Sequence, residues 1–87
     1  MSKIEREATI VNPHGLHARP AALFVQLACK FNSKITIRKG SEKVNGKSIM
    51  GILMLAAGAQ AKIVIEAEGD DAEAAVKELE GFLSKNE

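Results

Sequence analysis

Residues 12–23, NPHGLHARPAAL, hold both histidines of the chain, His14 and His17, with an arginine and a proline close behind. Three chemistries fit such a group: a metal clip, a nucleophilic imidazole at a helix start, or two surface residues in a turn. The metal reading fails on ligand number. A structural zinc site needs four ligands, most often Cys and His, and Cys29 is the only cysteine, with no further histidine or cysteine pair elsewhere in the chain. His14 lies in a turn and reads as a surface residue.

His17 stands in a different place. Pro20 fits the first turn of a helix, where a missing N–H costs nothing, so a helix is expected to begin near His17. A helix start presents unpaired N–H groups and about half a positive charge, a prepared seat for phosphate or carboxylate. The same potential disfavours imidazolium and keeps the ring neutral and nucleophilic. Arg19 adds a fork of donors suited to phosphoryl oxygens, and the backbone N–H groups of Ala18 and Arg19 lie beside it. Together these suit reversible phosphorylation of the His17 ring. Its nitrogen already has a lone pair, so no general base is needed. No Gly-rich phosphate cradle or Walker signature occurs, so the chain is not expected to bind nucleotide, and no cofactor is implied.

Ser48 is the second candidate. It reads as the N-cap of a short apolar helix. A phosphate on its hydroxyl would bring about −1.5 to −2 charges to a helix N-terminus. Ile49, Met50 and Leu53 follow it, more apolar groups than one side of a short helix hides, which reads as a docking patch.

The elements that must position these residues follow from periodicity. KIEREATIV, residues 3–11, alternates with Ile4, Ala8 and Ile10 on one face, broken by Arg6. From Ala18 to about Cys29 the period becomes helical, with Leu23, Phe24, Leu27, Ala28 and Phe31 expected on the buried stripe. KITIRK, 34–39, alternates again; GSE turns it into a short third strand, and Asn45-Gly46 makes a second turn. A helix is expected over residues 49–55, and a strand over 61–68 with Ile63, Ile65 and Ala67 on one face. Asp70 with Glu73 resembles a capping box before a last helix with Ala72, Ala75, Val76, Leu79, Phe82 and Leu83 on its stripe. The order β-α-β-β-α-β-α predicts an α+β domain spanning residues 1–87: an antiparallel sheet with helices on one face and the other face largely solvated.

Bulk properties narrow the function. Twelve basic and eleven acidic residues give a net charge of +1, which argues against a nucleic-acid footprint. With no Trp or Tyr and three Phe, base stacking has no platform. The longest apolar-rich run, IMGILMLAAGA over residues 49–59, is short of the roughly 20 residues of a membrane span. No secretory leader is expected at the N-terminus, and a lone cysteine suits a reducing cytoplasm.

GLHARPAALFV, followed 31 residues after His17 by Ser48 in VNGKSIMGILML, closely resembles the HPr family of histidine-containing phosphocarriers of the bacterial phosphotransferase system, essentially end to end. The resemblance implies an open-faced β-sandwich, a four-stranded antiparallel sheet covered by three helices. It implies that His17 accepts a phosphoryl group on Nδ1 from phosphorylated enzyme I, with phosphoenolpyruvate as the original donor. His17 would then pass the group to a histidine on the IIA domain of a sugar permease. Arg19 matches the arginine that accompanies the active histidine. Ser48 matches the serine modified by HPr kinase/phosphorylase in many Gram-positive bacteria, where a catabolite-control transcription factor is a further partner. KSIMG looks like that regulated type.

Two features depart from the sugar-type pattern, which usually has glycines at the positions of Ala56 and Gln60; LMLAA is more like the nitrogen-related paralogue, NPr. Pro20 in HARPA points back to the sugar branch. The leading expectation is a monomeric phosphocarrier. The alternatives are the NPr-type paralogue, a regulatory module acting through phosphoserine without histidine chemistry, or a small-molecule or nucleic-acid binder. Retention of His17 and Arg19 argues against the regulatory module, and the scarcity of aromatics against the last.

Overall fold

The computed structural model describes residues 3–11, 18–55 and 61–84. Its elements are β1 (Lys3–Thr9), α1 (Ala18–Ala28), β2 (Lys34–Lys39), β3 (Glu42–Asn45), α2 (Ile49–Leu55), β4 (Lys62–Glu68) and α3 (Ala72–Ser84). The strands form one sheet in the order β1-β4-β2-β3, with every neighbouring pair antiparallel. This is the antiparallel sheet with helices that the periodicity predicts, and the open-faced sandwich that the family resemblance implies.

Register explains how the core is built. Ile4 and Ile35 both pair with Ala67, and Arg6 and Ile37 both pair with Ile65. Strand residues of one parity therefore line up across the sheet and face the helices. Ile35, Ile37, Ile63 and Ile65 are buried there with Phe24, Ile52, Leu55, Val76 and Leu79 from the three helices. The rings of Phe24 and Phe82 meet edge to face, 6.1 Å between centroids, a geometry that contributes about 0.5–1.5 kcal/mol beyond burial. Arg6 breaks the apolar row of β1 because its guanidinium reaches α3, donating to Glu80 Oε1 at 3.1 Å.

The stripe of α1 differs from expectation. Ala21, Phe24, Val25 and Ala28 are buried, while Leu23 is 47% exposed. Alanine adds little to a hydrophobicity pattern, but it lets the helix backbone settle close to the layer beneath. Ala21 and Ala28 therefore fix the inward face around Phe24, and Leu23, one residue or about 100° away, turns outward.

The start of α3 also corrects the sequence reading. Asp71, not Asp70, occupies the cap, its carbonyl accepting from Ala75 N at 2.9 Å. The Asp70–Glu73 capping box does not form. The Asp71 carboxylate instead leaves its helix and accepts from the backbone N–H groups of Asn32 (2.8 Å) and Ser33 (2.9 Å) and from the Ser33 hydroxyl. Gly69, at φ 148°, permits the close approach: a Cβ there would sit 2.6 Å from Ser33 Oγ.

These donors, the Ser33 hydroxyl first, hold the Asp71 carboxyl below its ordinary 3.8. A folded value below the unfolded one means stability that is fully present above about pH 4 and is lost as pH falls through the folded value. Melting temperature followed from pH 5 to pH 2 should therefore fall. Asp71→Asn, already uncharged, should melt lower at neutral pH and lose part of that acid-side slope. Parallel curves for the two proteins would remove Asp71 from the account.

The sheet's outer face is polar, but Glu66 in its middle is buried. Arg38 Nε donates to Glu66 Oε2 at 3.1 Å, and Lys3 and Lys43 stand 3.7 and 3.9 Å from Oε1. The apolar stems of these long side chains cover it.

Candidate functional site

His14 and His17 both lie outside the described residues, so the described part of the site begins one residue after His17, at Ala18. Ala18 opens an eleven-residue helix with no acidic residue in its first turn. None of its own carboxylates offsets the positive end of the helix dipole there. The first four N–H groups of a helix lack an intrahelical acceptor, and Pro20 has none to offer, which leaves those of Ala18, Arg19 and Ala21. Arg19 is exposed, and among the described residues no carboxylate pairs with it.

Ser48 sits where the sequence places it, as the N-cap of α2. Its Oγ accepts from Gly51 N at 3.1 Å, and its carbonyl accepts from Ile52 N at 3.0 Å. The turn before it is tightly held. Lys47 N donates to Asn45 Oδ1 at 2.9 Å, and Gly46 N donates to the Ile35 carbonyl at 2.8 Å. A Cβ on Gly46 would fall 2.5 Å from Ile35 Cγ2, so glycine is required by space rather than by φ. Lys47 Nζ donates to the Phe31 carbonyl at 2.6 Å, which ties this turn to the segment just after α1.

A helix of two turns can bury only one narrow row. In α2 that row is Ile52 and Leu55. Ile49 (46%), Met50 (68%) and Leu53 (36%) are left exposed, and so is Met54 (74%). Met54 was absent from the expected patch, although its spacing of four from Met50 places both on one helix face. Leu23 is a second exposed apolar group that the sequence reading assigned to the core, four residues after Arg19 on α1. The described residues thus include a helix N-terminus carrying an exposed arginine and a capping serine heading an apolar, largely solvent-facing helix. Among the described residues no group of three metal-ligating side chains occurs, and no helix is long and apolar enough to cross a membrane.

The family model described as PTS HPr component phosphorylation site matches residues 4–85. The chain belongs to the HPr family. Curated relatives include the HPr-like protein Crh of Halalkalibacterium halodurans, 45% identical over 82 residues, covering 94% of this chain and 98% of Crh. Among solved structures, the phosphocarrier protein HPr of Bacillus anthracis superposes with a TM-score of 0.93 at 43% identity, covering 97% of this chain and 100% of that one. Crh of Bacillus subtilis, whose crystal structure is described as a domain-swapped dimer, matches with a TM-score of 0.78 at 40% identity over 86% of each chain. The chain is therefore an HPr-type phosphocarrier component of the phosphotransferase system.

Proposed function

We propose that this HPr-family chain, acting as one domain, carries a phosphoryl group on His17 between enzyme I and the IIA domains of sugar permeases in the cytoplasm. The observation that carries the reading is the start of α1. His17 immediately precedes a helix whose first turn holds no carboxylate and presents an exposed Arg19. In this reading the amides of Ala18 and Arg19 and the guanidinium hold the phosphoryl oxygens, and the ring nitrogen makes and breaks the bond to phosphorus. Ile49, Met50 and Leu53 form the docking surface, with Met54 added to it. Incubation with phosphoenolpyruvate and enzyme I tests it: the chain should gain a phosphate that is acid-labile and base-stable. Failure to gain one would sink the carrier reading.

The relatedness to Crh favours a second role at the same surface, phosphorylation of Ser48 by an HPr kinase/phosphorylase and engagement of a catabolite-control transcription factor. A phosphate at the α2 cap stabilises rather than melts the helix, so inhibition of His17 phosphorylation should arise from charge at the docking surface. Ser48→Asp, with about half the charge of phosphoserine, should keep its melting temperature or gain slightly. It should slow phosphate acceptance severalfold, and the penalty should shrink with salt, since exposed charges are screened over about 8–10 Å. A marked loss of thermal stability, or slow transfer that ignores salt, would contradict the electrostatic account. We take the monomer as the acting form of the carrier, with the swapped Crh dimer as its competitor. The molar mass in solution distinguishes them.

A further inference from the structure

The two most exposed large apolar side chains among the described residues are both methionines. Met50 and Met54 stand one helical turn apart on α2, 68% and 74% exposed. The same helix buries only Ile52 and Leu55, at 0% and 1% exposure. Its sulfur-bearing side chains and its core-forming side chains are therefore separated. A thioether in solvent is open to two-electron oxidants, which turn a flexible apolar side chain into a polar one. Within a docking patch that change is severe, because a sulfoxide oxygen buried against a partner without a hydrogen-bond donor carries a desolvation penalty. In the free domain the same oxygen stays in water and costs the fold little.

We propose that Met50 and Met54 are a reversible oxidation site that gates docking of the phosphoryl donor, the oxidant being a small peroxide. A lone pair on sulfur attacks one peroxide oxygen. The S–O bond forms as the O–O bond breaks, and the departing oxygen takes up the displaced proton and leaves as water. Sulfur is oxidised by two electrons and the peroxide is reduced by two. Thiol-dependent methionine sulfoxide reductases reverse the step. Ser48 lies two residues from Met50 on the same element, so charge and sulfur oxidation would act on one surface by different chemistry. The inference rests on the phosphocarrier reading, because it takes enzyme I as the partner that covers α2.

The test uses the full chain with Cys29→Ser, which removes the exposed thiol from the competition. The protein is treated with hydrogen peroxide, the peroxide is destroyed with catalase, and peptides are mapped by mass. Phosphate acceptance from phosphorylated enzyme I and melting temperature are then measured. The expected result is one oxygen added at each of Met50 and Met54, an acceptance rate at subsaturating protein lowered about tenfold or more, and a melting temperature that barely moves. Methionine sulfoxide reductases should restore the rate, and the rate of Met50→Leu/Met54→Leu, whatever its untreated value, should not change on peroxide treatment. An unchanged rate after both sulfurs are oxidised, equal loss of rate in the double leucine variant, or resistance of both sulfurs in the folded chain would overturn the proposal. If the untreated chain takes no phosphate from enzyme I, the carrier reading itself fails and the gate falls with it; a normal untreated rate with no peroxide effect overturns the gate alone.

Discussion

Replacing His17 with alanine is expected to abolish phosphate acceptance from enzyme I, while His14→Ala leaves it largely intact. The asymmetry follows from position along the chain. His17 directly precedes Ala18, the first residue of α1, and only a ring at that point shares the free amides and positive potential of the helix start. The bond to phosphorus forms on the ring itself, so no neighbouring group can replace it, and the loss should be complete rather than graded. His14 is three residues further from the helix and outside the reach of a field that fades within one turn. Acid-labile phosphate counted after incubation with phosphoenolpyruvate and enzyme I separates the variants, with melting curves to show that both are folded. Equal loss in the two would mean that the histidines act jointly, and a shared metal or shared catalysis would have to be considered again.

Arg19→Ala is expected to slow transfer by roughly ten- to a hundredfold while leaving the fold intact. A hydrogen bond from a charged donor to a phosphoryl oxygen is worth about 1.5–3 kcal/mol, which converts to that range of rates. The fold should not suffer, because the exposed Arg19 is off the row of Ala21, Phe24, Val25 and Ala28 that packs against the sheet. Arg19→Lys keeps the charge but not the two-pronged geometry, so it should recover only part of the rate. A full rate in Arg19→Ala at unchanged stability would remove the guanidinium from the mechanism.

The strands were legible because alternation of apolar and polar residues has one structural meaning over seven residues such as Lys62–Glu68. Ser48 was legible as a cap because serine ahead of an apolar run has a local reason to be there. What escaped depended on size and on distance in space. Leu23 was misplaced because two apolar rows overlap in α1, and the alanines that permit close packing choose between them. Asp71 could not be told from Asp70, since its decisive partners, Asn32 and Ser33, lie almost forty residues away. Glu66 looked like one more solvated position of an outward face, because the cations that cover it come from three other strands. The place of Arg19 in the first turn of α1 and the capping role of Ser48 were readable from local chemistry. The exposure of Met54 required knowing that Ile52 and Leu55 alone claim the buried side of α2.

The strand order has a consequence for the newborn chain. Among the described strands β1 lies at the sheet's edge with β4 as its only neighbour, so Lys3 waits for Glu68, its register partner 65 residues later. At a synthesis rate of about 5–20 residues per second, that wait is roughly 3–13 s. Throughout it Ile4, Ala8 and Ile10 have no sheet to join, although the β2–β3 hairpin can already close from local contacts. A message broken before the codons of β4 would therefore yield not a smaller carrier but a chain with an orphaned apolar strand, the kind of species that chaperones and proteases meet first.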